Sequence, residues 1–99
     1  MIINKTQENG KLTLALEGRL DTTTAPKVQD ELIPAFGEAK EVILDFAKLA
    51  YVSSAGLRVL LMGEKTAKAK GGKQMLVNVS DEIMEVFEMT GFSGVLKFE

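Results

Sequence analysis

The sequence contains no cysteine and no histidine. Without cysteine the chain has no disulfide, no thiolate metal site and no cysteine nucleophile. Without histidine it lacks the usual general base at neutral pH and the commonest metal ligand. The net charge is only −2 with mixed signs, which gives no basic face for direct binding to nucleic acid. No apolar run is long enough for a signal peptide or a membrane span.

The residues that are present describe one soluble domain over residues 1–99. Apolar residues make up 45% of the chain and charged residues 26%. A chain of this size buries somewhat over ~60% of its unfolded surface on folding. This is enough for a hydrophobic core that needs no disulfide bond or metal ion to stabilise it. We therefore expect a cytoplasmic protein, with no membrane insertion, no cofactor and no metal.

Two strand patterns open the chain, over residues 2–6 and 11–17. In the second, leucine occupies every other position from Leu12 to Leu16, the period of a strand with one buried face. Between them lies Asn9-Gly10, a dipeptide that tolerates positive φ. The two runs are therefore predicted to form a β-hairpin.

Helices and strands alternate in the rest of the chain. The predicted elements are a helix entered before Pro26 and ending near Gly37, a strand over 42–46 buried on both faces, a helix from about Ala55 to Lys70, a strand over 74–79, a helix between Ser80 and Gly91, and a possible short strand over 94–98. This ββαβαβα order predicts an α/β domain with a mixed, mainly parallel sheet, right-handed crossovers and an antiparallel first pair.

The stretch from Tyr51 to Arg58 lies where the third strand gives way to the second helix. A serine pair followed by Ala55-Gly56 marks a helix start, where a hydroxyl can accept a hydrogen bond from a first-turn amide. These amides and the positive end of the helix dipole converge near Ser54, so an anion would be tolerated there. Taken alone, Ser54 is interpreted as a helix cap.

The sequence contains no complete set of catalytic residues. The nucleophile-elbow pattern Gly-x-Ser-x-Gly fails because Val52 occupies the first glycine position, and no histidine can accept the proton. Asp45 lacks the acidic partners of a metal-dependent phosphoacceptor, so it is expected to cap a turn or pair locally. Residues 71–73 are better explained as a helix stop than as a phosphate loop. We therefore expect a binding module and not an enzyme.

Three elements together resemble the STAS domain, and more narrowly the bacterial anti-sigma factor antagonists. They are Gly18-Arg19-Leu20-Asp21 after a strand, Ser53-Ser54-Ala55-Gly56-Leu57 at a helix start, and Met89-Thr90-Gly91-Phe92 at the end of the last helix. The resemblance covers the whole chain in length, element order and motif position.

The resemblance implies partner switching. In that family the unmodified antagonist binds an anti-sigma factor, a serine kinase related to histidine-kinase ATPase domains, and frees the sigma factor. Phosphorylation of one serine weakens binding, and a PP2C-like phosphatase resets the switch. Matching Gly56 and Leu57 to the family's Gly-Leu implies Ser54 as the phosphoacceptor. Ser53 stands where the family often has aspartate, which makes it a secondary candidate, and Ala55 replaces a second serine.

A partner-binding surface is expected around Ser54. Its members are Asp21, Thr22, Ser53, Ser54, Ala55, Gly56, Leu57 and Arg58. Leu57 and Arg58 are expected to be exposed contact residues, although Leu57 is equally compatible with the core.

Two other interpretations stay open: a non-phosphorylated STAS subunit of a larger signalling or lipid-transport assembly, and a small enzyme or nucleotide-binding protein. As an anti-sigma factor antagonist, the chain is expected to be a monomer or a weak dimer.

Overall fold

The computed structural model describes residues 1–99, and its elements alternate in the predicted order. The strands are β1 (Ile2–Glu8), β2 (Lys11–Leu20), β3 (Glu41–Val52) and β4 (Lys73–Val77), and the helices are α1 (Ala25–Ala35), α2 (Ser54–Ala69) and α3 (Asp81–Thr90), followed by a 3-10 turn over Phe92–Gly94. The α/β class and the ββαβαβα order are therefore confirmed. None of the helices combines the length and apolar character that a membrane crossing requires.

The four strands form one mixed sheet in the spatial order β1-β2-β3-β4. β1 and β2 are antiparallel, whereas β3 is parallel to both β2 and β4. The hairpin turn has positive φ at Asn9 (52°) and Gly10 (78°), the backbone that this dipeptide favours. The predicted hairpin and the mainly parallel sheet are both confirmed.

The three helices cover only one face of this sheet. Val42, Leu44 and Phe46 of β3 are buried in a single hydrophobic core, whereas Ile43 and Asp45 between them are half-buried on the other face. The prediction that this strand is buried on both faces is therefore wrong. Its apolar run resembles a central strand of a two-sided sheet, but all three helices pack against the same side.

β2 and β3 are both longer than their sequence patterns indicate. β2 continues to Leu20 and β3 to Val52, and these two residues are paired in register. Register shifts after Ala15 and after Gly18 carry β2 past the end of its leucine alternation. The two parallel strands therefore end side by side, which brings the β2–α1 loop next to the start of α2.

Local sequence signals define α3 as predicted. The Ser80 hydroxyl accepts a hydrogen bond from the Ile83 N–H at 3.2 Å, and Gly91 closes the helix in the left-handed conformation at φ 82°. A serine N-cap and a left-handed glycine after the last turn are common features of α-helix ends.

The last residues fold back along β4. The predicted strand over 94–98 is reduced to a single parallel bridge between Phe98 and Leu76. The Leu76 N–H donates to the Lys97 carbonyl at 2.9 Å, and the Glu99 N–H donates to the Leu76 carbonyl at 3.0 Å. The Phe98 ring lies 5.4 Å from that of Phe87, so the tail closes the core beside α3.

Candidate partner-binding site

The site lies where β2 and β3 end. The Ser53 N–H donates a hydrogen bond to the Leu20 carbonyl at 2.8 Å. This bond fixes the start of α2 against the beginning of the β2–α1 loop. Residues far apart in sequence, Asp21 and Thr22 on one side and Ser53 onward on the other, therefore share one end of the domain.

The two serines at the start of α2 have different roles. Ser53 has an extended backbone (φ −94°, ψ 176°), and its Oγ accepts a hydrogen bond from the Gly56 N–H at 3.4 Å. Ser53 is therefore the helix cap, and the interpretation of Ser54 as the cap is wrong because α2 begins one residue earlier than expected. Ser54 is the first residue of the helix; it is exposed, and its hydroxyl has no hydrogen-bond partner within the chain.

The first turn of α2 packs tightly onto the ends of the two strands. A Cβ at Gly56 would lie 2.6 Å from Leu20 Cγ and 3.1 Å from Val52 Cγ1, so only glycine allows this approach. Leu57 is 7% exposed and belongs to the core. The expectation that Leu57 is an exposed contact residue is therefore wrong, because this turn directs it toward the sheet.

Arg58 is exposed, as expected, and forms no salt bridge within the chain. It borders an open hollow between α1 and α2, close to the capped helix start. The hollow is lined by Thr22, Ala25, Pro26, Gln29, Ala55, Arg58, Val59 and Met62. The structure thus brings Thr22, Ala55 and Arg58 together on one surface.

Asp21 organises the turn into α1. Its Oδ1 accepts hydrogen bonds from the Thr23 hydroxyl (2.7 Å), the Thr23 N–H (3.0 Å) and the Thr24 N–H (3.2 Å). The hydrogen bond from the Thr23 hydroxyl, together with these backbone donors, lowers the pKa of Asp21 below its ordinary value of 3.8, against a smaller opposing effect of desolvation. Asp21 is therefore a fixed negative charge beside the serines.

Acid unfolding should reveal this hydrogen-bonded carboxylate. A carboxyl group whose pKa is lower in the folded state stabilises the fold above its unfolded pKa, and this contribution disappears as pH falls through the folded pKa. The difference in free energy of unfolding between wild type and Asp21→Asn should therefore be largest near neutral pH and shrink below about pH 3.8. Urea titrations across this range measure it.

Asp30→Asn is the matched control, because Asp30 is exposed on α1 and its side chain makes no hydrogen bond or salt bridge. It should show no such pH-dependent difference. A constant difference between wild type and Asp21→Asn at every pH would contradict this role for the carboxylate.

Sequence reasoning missed a cation–π pair at the same end of the sheet. The Arg19 guanidinium carbon lies 4.2 Å from the centre of the Tyr51 ring, and Arg19 Nε lies 3.9 Å from Asp21 Oδ2. Arg19 and Tyr51 are register partners in β2 and β3. The contact can be recognised only from the pairing of β2 with β3. That pairing depends on where the two strands end, which the sequence pattern does not show.

Comparisons with known proteins agree on one family. Residues 2–99 match the family model of the STAS domain. A protein of Bordetella bronchiseptica named as an anti-sigma factor antagonist, BtrV, is 33% identical over 88 residues, which cover 88% of this chain and 76% of that protein.

Solved structures show the same fold. The anti-sigma factor antagonist SpoIIAA in its unphosphorylated form superposes with a TM-score of 0.77 at 19% identity, covering 99% of this chain and 87% of the other. The phosphorylated form of the Bacillus cell fate determinant SpoIIAA gives 0.75 at 20% identity, with coverages of 99% and 91%.

Proposed function

The chain belongs to the STAS domain family, and we propose that it is a cytoplasmic anti-sigma factor antagonist that acts by partner switching. The unphosphorylated form binds an anti-sigma factor, a serine kinase of ATPase fold, and thereby releases a sigma factor. Phosphorylation of Ser54 by that kinase weakens the complex, and a PP2C-like phosphatase restores it. The protein is a binding partner in this cycle and not itself an enzyme.

The observation that carries this proposal is the free hydroxyl of Ser54. A kinase needs an accessible oxygen whose reaction does not cost the substrate an existing hydrogen bond. Ser54 provides one, because it is exposed and unbonded. Ser53, half-buried and engaged with Gly56, is the less suitable acceptor.

A phosphate at Ser54 is compatible with the fold. Phosphorylation adds about −1.5 to −2 charges at pH 7, and the positive end of a helix dipole stabilises an anion at the first helical residue. The cap remains intact, because it is made by Ser53. The modification therefore changes the surface while the domain stays folded.

The added negative charge lies on the surface that the partner would contact. Asp21 already holds one negative charge in the adjoining loop, and a phosphate on Ser54 makes this surface strongly anionic. An interface that fits a neutral hydroxyl would have to bury an unpaired charge, which costs about 3–5 kcal/mol when a buried pair is broken. A loss of this size corresponds to at least about a hundredfold in affinity.

A capture experiment tests the switch with two variants of identical charge. Wild type, Ser54→Asp and Ser93→Asp serve as baits in lysate of the source bacterium, and captured proteins are identified by mass spectrometry. Ser93 is exposed in the 3-10 turn after α3, so Ser93→Asp makes the same change in charge outside the partner-binding surface. We expect an ATPase-fold kinase to be captured by wild type and Ser93→Asp and lost with Ser54→Asp.

The captured kinase then gives a direct test of the acceptor. Incubation with ATP should phosphorylate the wild-type chain at Ser54, and Ser54→Ala should abolish the modification. Equal capture of the same partners by all three baits would refute the switch and favour a constitutive STAS subunit of a larger assembly. Phosphate found on Ser53 would refute the assignment of the acceptor.

A further inference from the structure

The face of the sheet that no helix covers carries an alternating row of charges. Because Leu12, Val42 and Gln74 point into the core, their neighbours in sequence point to this uncovered side, which we call the open face. Strand registers place four charged residues in one line across β1, β2, β3 and β4. In order they are Glu8, Lys11, Glu41 and Lys73, which we call the charged row.

The charges of this row are not paired within the chain. Neighbours in the row have opposite signs, yet none of the four side chains forms a salt bridge. Glu8, Lys11 and Lys73 are exposed, and Glu41 is half-buried. The charged row therefore offers four unpaired charges of alternating sign to a molecule that binds the open face.

The next row along the strands is neutral and uneven. It runs Thr6, Thr13, Ile43, Met75 in the same registers. Its β3–β4 half carries two large apolar side chains on a face without helices. Its β1–β2 half borders an open hollow lined by Thr6, Glu8, Asn9, Lys11, Thr13 and Ile43. The hollow therefore lies beside the β1–β2 half of this neutral row, with Ile43 at its edge.

We propose that the open face binds a second copy of this chain, related by a two-fold axis that runs parallel to the strands between β2 and β3. Half a turn about this axis reverses the strand order. Glu8 then faces Lys73 of the other copy, and Lys11 faces Glu41, so every charge in the row meets its opposite. The same rotation places Met75 of one copy over the hollow beside Thr6 and Thr13 of the other.

The order of the charges favours a second copy of this chain over other binding partners. A partner of uniform charge would meet two attractive and two repulsive side chains, whereas the reversed row is complementary at all four positions. Neighbouring strands lie about 4.8 Å apart and residues of one face about 6.8 Å apart along a strand, so four strands and a few rows form a small interface. It is well below the ~800 Å² per partner of a standard stable complex, so we expect a weak dimer that forms only at high protein concentration.

This dimer does not depend on the proposed function. Lys11, Glu41 and Lys73 are the first residues of their parallel strands, whereas Ser54 lies two residues after the end of β3. The two surfaces lie at opposite ends of the strands. If the purified protein does not dimerise, the proposal that Ser54 is phosphorylated is therefore unaffected. If Ser54 is not phosphorylated, the proposed dimer is equally unaffected.

Sedimentation equilibrium of the purified chain, from about 10 µM to 2 mM in low salt, tests the proposal. Lys11→Glu and Glu41→Lys each place like charges opposite one another twice in the dimer, and each should raise the dissociation constant at least about tenfold. The combined variant Lys11→Glu/Glu41→Lys restores both pairs and should return the constant to within about threefold of wild type.

Lys68→Glu makes the same charge change on the exposed side of α2 and serves as the control, with no effect expected. Circular dichroism confirms that each variant is folded before its self-association is compared. A wild-type chain that stays monomeric at 2 mM would overturn the proposal, as would a dimer that Lys11→Glu leaves unchanged or that the combined variant fails to restore.

Discussion

Lys97→Met should lower the free energy of unfolding by about 3 kcal/mol. Glu64 of α2 is 1% exposed, its Oε2 is paired with Lys97 Nζ at 2.5 Å, and its Oε1 has no partner. Removing the lysine leaves a buried carboxylate without compensation, the costly way to break such a pair. Because the Lys97 side chain is 43% exposed, we expect a loss at the lower end of the range for buried pairs. Urea unfolding measures it.

Two further variants decide whether the loss comes from the unpaired charge. Glu64→Met/Lys97→Met should recover most of the stability, because an apolar pair of similar volume replaces the ion pair. Lys65→Met removes an exposed lysine next to Glu64 that forms no salt bridge, and it should change stability by less than about 0.5 kcal/mol. A Lys97→Met protein as stable as wild type would show that water or another group already compensates Glu64.

Phe87→Ala should lower the free energy of unfolding by about 3–5 kcal/mol. The ring is fully buried, 6.4 Å from that of Phe46 in the sheet and 5.4 Å from that of Phe98 in the tail. Its loss therefore leaves a cavity where α3, β3 and the tail meet. The expected result is a lower urea midpoint together with faster amide exchange in α3 and at Leu76, which binds the tail.

Met89→Ala is the control on the same helix. Met89 is 79% exposed, so its truncation removes almost no buried surface and should cost less than about 0.5 kcal/mol. If Phe87→Ala cost no more than Met89→Ala, the aromatic contacts would not hold α3 against the sheet.

The elements that sequence reasoning predicted well are those defined by neighbouring residues. Asn9-Gly10 specifies its hairpin by the positive φ of both residues. Ser80 and Gly91 define the ends of α3 in the same local way. These signals operate over a few residues and do not depend on how the rest of the chain packs.

The site could be located from the sequence, but the roles of its residues could not. The sequence favours Ser54 as the cap, whereas the extended backbone of Ser53 makes Ser53 the cap and Ser54 the first helical residue. Leu57 is buried because Gly56 lets the first turn of α2 approach Leu20 closely. That approach depends on the full length of β2, which the leucine alternation does not reveal.

Long-range pairing explains the other differences. Glu64 resembles an ordinary surface residue of a helix, and its burial makes sense only with Lys97, 33 positions away. The apolar run from Val42 to Phe46 resembles a strand buried on both faces, and the placement of the helices determines that only one face is covered. No local pattern contains that information.

The stacked arrangement at the ends of β2 and β3 also gives the protein its own optical reporter. Tyr51 is the only tyrosine, and the chain has no tryptophan. Its ring lies beneath the Arg19 guanidinium, 40% exposed, three residues before Ser54. Near-ultraviolet fluorescence of the unlabelled protein therefore originates almost entirely at the proposed switch, where an approaching partner or a new phosphate would alter the ring's surroundings directly.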